Sequence, residues 1–206
     1  MSGKALFTIK TEALWELSRE KSRFVAMSFR LFHPEESREK LKRAMGCCPQ
    51  ATHYVYAFRC GPQGEKEYAS DGGEPKGSAG WPVLGVLRRF AVTNSMVVVA
   101  RYFGGKKLGI RGLIGAYGDA ATKVLEASGL IPYVQEERIT VTTEPQAFEL
   151  FVHRLLQYLK TKERLKTERA RCEVSFTIPK SQEDALFGFL ERERLRGTVK
   201  CFTRGE

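Results

Sequence analysis

MVVVARYFGGKKLGIRGLIGAYGDAATKVLEASG, residues 96–129, reads as a strand, a glycine-rich turn and a helix, and this order sets the fold class. MVVVARY is a β-branched run without alternation, which suits a central strand buried on both faces. The helix is expected from about Leu113 to Ala127, with Ala116, Ala120, Ala121, Val124 and Leu125 at helical spacing. Ser128-Gly129 supplies its stop.

Between strand and helix, RYFGGKKLGIRG packs two aromatics, four glycines and four cations into twelve residues. Gly104 and Gly105 allow a turn whose backbone N–H groups form an anion nest, and Arg101, Lys106, Lys107 and Arg111 add charge beside it. Tyr102 and Phe103 offer rings for stacking unpaired bases, although alternation lets one of them end the strand in the core. Gly112, Gly115 and Gly118 also have a plainer use in close helix packing.

The preceding loop, SDGGEPKGSAG, carries Asp71, Glu74 and Lys76, and Ser78 stands where it could cap a helix carrying Val83, Leu84, Leu87 and Phe90. Asp71 and Glu74 can serve as acid and base or hold a divalent cation; equally, they can cap that helix or pair with nearby cations. Residues 75–118 contain seven Lys or Arg and no Asp or Glu. The formal net charge is +10, and the +7 of residues 1–136 is all assignable to that segment, since the rest of the region balances. Charge concentrated in this way points to an anionic partner.

RFVAMSFRLF (Arg23–Phe32) and THYVYAFRC (Thr52–Cys60) read as strands flanking a short helix that opens at Pro34 and ends at Gly46. In the second strand Tyr54, Tyr56 and Phe58 face one way, Val55 and Ala57 the other. His53 at its start reads as a strand histidine or as a base, and Cys47 or Cys48 with His53 is the remaining nucleophile pairing. A short strand near Lys66–Ser70 follows a GPQGE turn, and IPYVQ (Ile131–Gln135) is expected to close the first domain.

From Glu137 the order is strand, helix (PQAFELFVHRLLQYL), edge strand (Lys162–Glu168), strand, helix with Ser181 as cap, and closing strand. This β-α-β-β-α-β order signifies a ferredoxin-like split βαβ sandwich. The chain is thus expected to be α+β, with domains at 1–135 and 136–206.

Several chemistries lack their signatures. Gly72 to Gly77 is followed by Ser78, and Gly104 to Gly109 by Ile110-Arg111, so neither is a phosphate-binding Walker loop, and no GxGxxG occurs. His33, His53 and His153 fall into no cluster with zinc spacing, and no cofactor or metal is implied. The apolar run around Met96–Ala100 is too short to cross a bilayer and the start carries no signal core, so a cytoplasmic protein is expected. Cys47, Cys48, Cys60, Cys172 and Cys201 are expected to be reduced and mostly buried.

The segments KSRFVAM, ATHYVYAFR, SDGGEPKGSAGWPVLGVL and VVVARYFGGKKLGIRGLIGAYGDAATKVLE resemble the YigZ/Impact family over about residues 21–128. The resemblance implies a first domain like the second domain of ribosomal protein S-five, an α/β sandwich also seen in elongation factor G. It also implies a tail like domain V of that factor, as in bacterial two-domain members. Gly72 or Gly73 stands in place of the family's second acid, Ile110-Arg111 in place of small residues, and Gly115 in place of a common arginine. Arg111 and Gly115 are i and i+4, so a cation has moved by one helical turn. Eukaryotic relatives regulate translation by competing for the activator of a kinase of translation initiation.

Two functional classes fit. One is a non-enzymatic protein that binds RNA or the ribosome through Lys76, Arg101 to Lys107 and Arg111, with regulation of translation as its role and a protein partner as a variant of the same surface. The other is an enzyme acting on an anionic substrate with Asp71 and Glu74 as acid and base.

Overall fold

The computed structural model describes residues 5–159 and 165–205. The chain divides into two units, Met1–Tyr133 and Val134–Glu206.

The first unit contains β1 (Phe7–Ile9), β2 (Ala13–Arg19), β3 (Ser22–Arg30), α1 (Ser37–Cys47), β4 (His53–Cys60), β5 (Lys66–Ser70), α2 (Gly80–Arg89), β6 (Ser95–Tyr102), α3 (Gly109–Ser128) and β7 (Leu130–Pro132). Five strands form an antiparallel sheet in the order β2-β3-β6-β4-β5. β6 is central, and its run of valines is buried on both faces as the sequence requires. Val97 and Val99 join Phe24, Ala26, Val55 and Ala57 beneath α2 and α3. Met96, Val98 and Ala100 join Val25, Met27, Phe29 and Phe58 on the other face, closed by Leu41 and Ala44 of α1. Alternation along β4 therefore sorts its residues between two cores.

β2 is absent from the sequence expectation. Ala13 and Leu17 pack one face of this edge strand on the first core, but Leu14 and Trp15 are exposed, which blurs the alternation. Its hairpin to β3 turns at Glu20 (φ +47°) and Lys21 (φ +64°), residue types that seldom mark left-handed turns. β7 also differs from expectation: it pairs only with β1, in a separate two-stranded ribbon.

The second unit contains β8 (Glu136–Thr143), α4 (Phe148–Leu159), β9 (Leu165–Glu168), β10 (Glu173–Pro179), α5 (Glu183–Leu195) and β11 (Val199–Arg204). The sheet order β11-β8-β10-β9 is that of a split βαβ unit. Ile139, Val141, Val174 and Phe176 pack beneath Phe151, Leu155, Leu186 and Leu190. Of the expected edge strand, 162–164 lies outside the described residues. No side chain caps α5, so Ser181 does not act as its cap.

Buried Glu193 organises the end of α5. Its carboxylate accepts from Arg154 (2.9 Å), Arg196 (2.8 Å) and the Thr198 hydroxyl (2.8 Å). Burial pushes its carboxyl up, but these three donors outweigh that and hold it below the usual glutamate value. Among the cysteines, only Cys48 and Cys60 are buried; Cys47 and Cys201 are exposed and all five are free, which corrects the expectation of mostly buried thiols. No helix among the described residues is long and apolar enough to cross a membrane.

Candidate functional site: a cleft at the start of α3

The end of β6 and the start of α3 border a cleft of about 420 Å³ lined by Thr52, His53, Glu74, Pro75, Arg101, Phe103, Lys107, Leu108, Gly109, Ile110 and Leu113. Residues from 52 to 113 meet here because β4 and β6 are adjacent in the sheet, with His53 opposite Arg101 in the register.

Asp71 and Glu74 do not converge as a pair. Asp71 Oδ1 accepts from the backbone N–H groups of Ala79 (3.1 Å) and Gly80 (2.8 Å), and Oδ2 from that of Gly77 (2.8 Å). Burial raises its carboxyl pKa, yet the three N–H donors win and leave it below the usual aspartate value. Asp71 is thus the group that satisfies the start of α2, in the place expected of Ser78. The Ser78 hydroxyl instead donates to the Pro75 carbonyl at 2.6 Å. With Asp71 occupied in this way, the acid/base pair is removed.

Glu74 turns inward. Its Oε1 accepts from Arg101 Nη1 and from the Tyr117 hydroxyl, both at 2.7 Å, and the Glu74 and Arg101 side chains are 4% and 5% exposed. Arg101 also donates to the Ser22 hydroxyl at 3.2 Å and lies 5.5 Å from the Phe24 ring centroid and 5.4 Å from that of Phe103. Arg101 therefore forms part of the floor of the cleft, correcting its expected place on an open basic surface. A guanidinium can be buried there because the Glu74 carboxylate neutralises it. Tyr117 carries no charge or glycine signal in the sequence, although a tyrosine on the core face of a helix needs a hydroxyl partner. Burial first, and then its bond to Glu74, push its phenol far above the ordinary value, so it donates as a neutral hydroxyl.

His53 Nδ1 lies 3.1 Å from the Gly72 carbonyl, and its Nε2 faces Glu74 Oε2 at 4.0 Å. Cys48 is held elsewhere, in the second core under α1, and burial raises its thiol pKa. Tyr102 packs against that core too, donates its hydroxyl to the Pro49 carbonyl at 3.0 Å and has Arg23 4.4 Å from its ring centroid. It is therefore no free stacking platform. Phe103, 45% exposed, is the available ring.

The turn residues have distinct reasons for being glycine. A Cβ on Gly104 would lie 1.8 Å from the Lys21 carbonyl oxygen, so the β2–β3 turn approaches too closely for any side chain. Gly105 has φ +86°. α3 starts at Gly109, four residues earlier than expected, with Gly109 as its first residue at φ +70° and Gly112 inside the helix. Nothing lies within 4 Å of a Cβ on Gly118, which rules out close packing as its reason. A Cβ on Gly115 would meet Arg19 Nη1 at 3.0 Å, so the cation over this position comes from β2 and not from Arg111.

No side chain caps the start of α3 and no acid stands in its first turn. Lys76, Lys106, Lys107 and Arg111 are exposed. Lys106 pairs with Glu20, while the other three form no ion pair among the described residues. No group of three or more metal-binding side chains occurs among those residues.

This is a mixed α/β protein with a half-enclosed cleft of basic rim and partly apolar wall. The chain belongs to the Impact family: the Impact N-terminal domain matches residues 20–125. It is 38% identical over 125 residues to the IMPACT family member YvyE of Bacillus subtilis, covering 61% of this chain and 58% of that protein. It is 34% identical over 108 residues to the IMPACT family member YigZ of Escherichia coli, covering 52% and 53%. The chain thus spans a little over half the length of the curated relatives it matches. The crystal structure of a hypothetical protein shares the fold across 95% of both chains, with a TM-score of 0.70 at 24% identity.

Proposed function

We propose that the first unit is a non-enzymatic module that binds single-stranded RNA at the start of α3, in the service of translational regulation. The observation that carries this reading is the arrangement of Lys107, Arg111 and the exposed Phe103 around a helix start that no side chain caps. Free N–H groups and cations hold phosphates, and an exposed ring beside them stacks a base. The ring favours RNA over an acidic protein, which would need the charge alone. The link to translation rests on family resemblance, as do the finer likenesses to ribosomal protein S-five and to elongation factor G.

With Arg101 buried, the exposed cations are Lys76, Lys106, Lys107 and Arg111. Four phosphate contacts give a slope of about −3 for log affinity against log salt on a single strand. Fluorescence anisotropy of a labelled RNA between low and moderate salt reads this slope. Lys107→Glu with Arg111→Glu should weaken binding and flatten it by about 1 to 2. A wild-type slope near zero overturns the reading.

A further inference from the structure

We infer that the cleft reads the exocyclic amino group of an unpaired base, through His53 Nε2 and Glu74 Oε2 acting as a pair of acceptors. The inference rests on the RNA-binding reading above and adds a base preference to it.

A backbone carbonyl can only accept, so the 3.1 Å contact with Gly72 places a proton on His53 Nδ1. In the neutral imidazole Nε2 is then a lone pair, and it is Nε2 that faces Glu74. Glu74 Oε1 already takes two donors, while Oε2 accepts no hydrogen bond among the described residues. With the ring neutral, two acceptors face each other across 4.0 Å, too far for a direct bond. A single amino nitrogen, at about 2.9 Å from each, can donate one of its two hydrogens to each.

Charge and shape narrow the donor. Arg101 neutralises Glu74, and Lys107 lines the same cleft, so a neutral amino group suits the site better than an ammonium. Pro75, Phe103, Leu108, Ile110 and Leu113 give the cleft apolar walls, and its 420 Å³ lies in the range of small-ligand pockets. A flat ring stacked by Phe103 fills such a space, with its sugar and phosphate at the basic rim.

The test compares two labelled single-stranded decamers, one of adenosine and one of purine riboside, which has the same ring without the amino group. The full chain should bind the adenosine decamer about tenfold more tightly. His53→Ala leaves the Arg101–Glu74 pair in place and should bring the two affinities together by weakening only the adenosine complex. Equal wild-type affinities overturn the inference and leave the RNA reading standing. A loss in His53→Ala that falls equally on both decamers also overturns it, because it assigns His53 a structural role. No binding of either decamer by the wild type overturns the inference and the RNA reading together.

Discussion

Asp71→Ala removes the one side chain that satisfies the start of α2. Three backbone donors, on Gly77, Ala79 and Gly80, lose a charged acceptor, and Ala79 and Gly80 lie in the interior where water does not replace it. A helix cap is worth about 1 kcal/mol and each buried unsatisfied donor costs a further ~1 kcal/mol or more, so the loss should be about 3 kcal/mol. In a unit of this size that lowers the melting temperature by about 10 °C. Trp15 and Trp81, the only two tryptophans, both lie in the first unit, so their fluorescence reports its melting separately from the second. The effect has a defined pH dependence. Asp71 titrates lower in the folded chain than in the unfolded one, so the unfolded state takes up protons first as pH falls. The stabilisation is whole above the ordinary aspartate value of about 3.9 and is lost as pH drops through the lower folded value. The gap between wild type and variant should be full at pH 7 and should shrink in strong acid. A drop of less than about 2 °C at neutral pH, against the ~10 °C expected, would refute this account of the loop. So would a gap that persists unchanged in acid.

Two contrasting glycine substitutions test the packing around the cleft. Gly104→Ala drives a Cβ into the Lys21 carbonyl and should cost about 2 kcal/mol by tryptophan-monitored urea unfolding. Gly118→Ala meets open space within a helix and should stabilise by about 0.5 to 1 kcal/mol in the same assay. In the second unit, Glu193→Ala leaves Arg154 and Arg196 without their carboxylate, while the Thr198 hydroxyl keeps its bond to the backbone carbonyl of residue 193; with both arginines partly exposed, the cost should be about 1 to 2 kcal/mol. Faster hydrogen exchange in α5 and β11 with unchanged tryptophan fluorescence is the expected signature.

The parts of the fold that were legible in the sequence are those whose burial repeats along the chain. Val97 to Ala100 with no polar interruption, and Tyr54 to Phe58 with strict alternation, identify β6 and β4 because each side chain meets a core. β2 is harder to read, since Ala13 and Leu17 alone turn to the core while Leu14 and Trp15, apolar as well, stand exposed and mask the alternation. The candidate site divides along the same line. The loop segments at 71–77 and 101–111 are visible from charge and glycine content, but the roles of their residues are not. Asp71 and Glu74 are two acids three positions apart; one meets backbone N–H groups and the other an arginine 27 residues away. Arg101 sits in the middle of the basic segment, and only the arrival of Glu74 and Tyr117 makes its burial tolerable. Tertiary neighbours decide such roles.

The ribbon of β1 and β7 joins the entry of the first unit to its exit. Phe7 is opposite Pro132 and Ile9 opposite Leu130, so the pairs nearest the two ends are Phe7 and Pro132. Tension applied at the two ends of the unit therefore loads these pairs one after another, as a zip, and never all at once in shear. Phe7 is held on its other side as well, its N–H donating to the Ala91 carbonyl (3.0 Å) and its carbonyl accepting from Thr93 N–H (2.8 Å), so the strand expected to peel away is β7, with β1 left on the body of the unit. A pull of this kind is expected to reach the end of α3 through β7 first and its start, at the cleft, last.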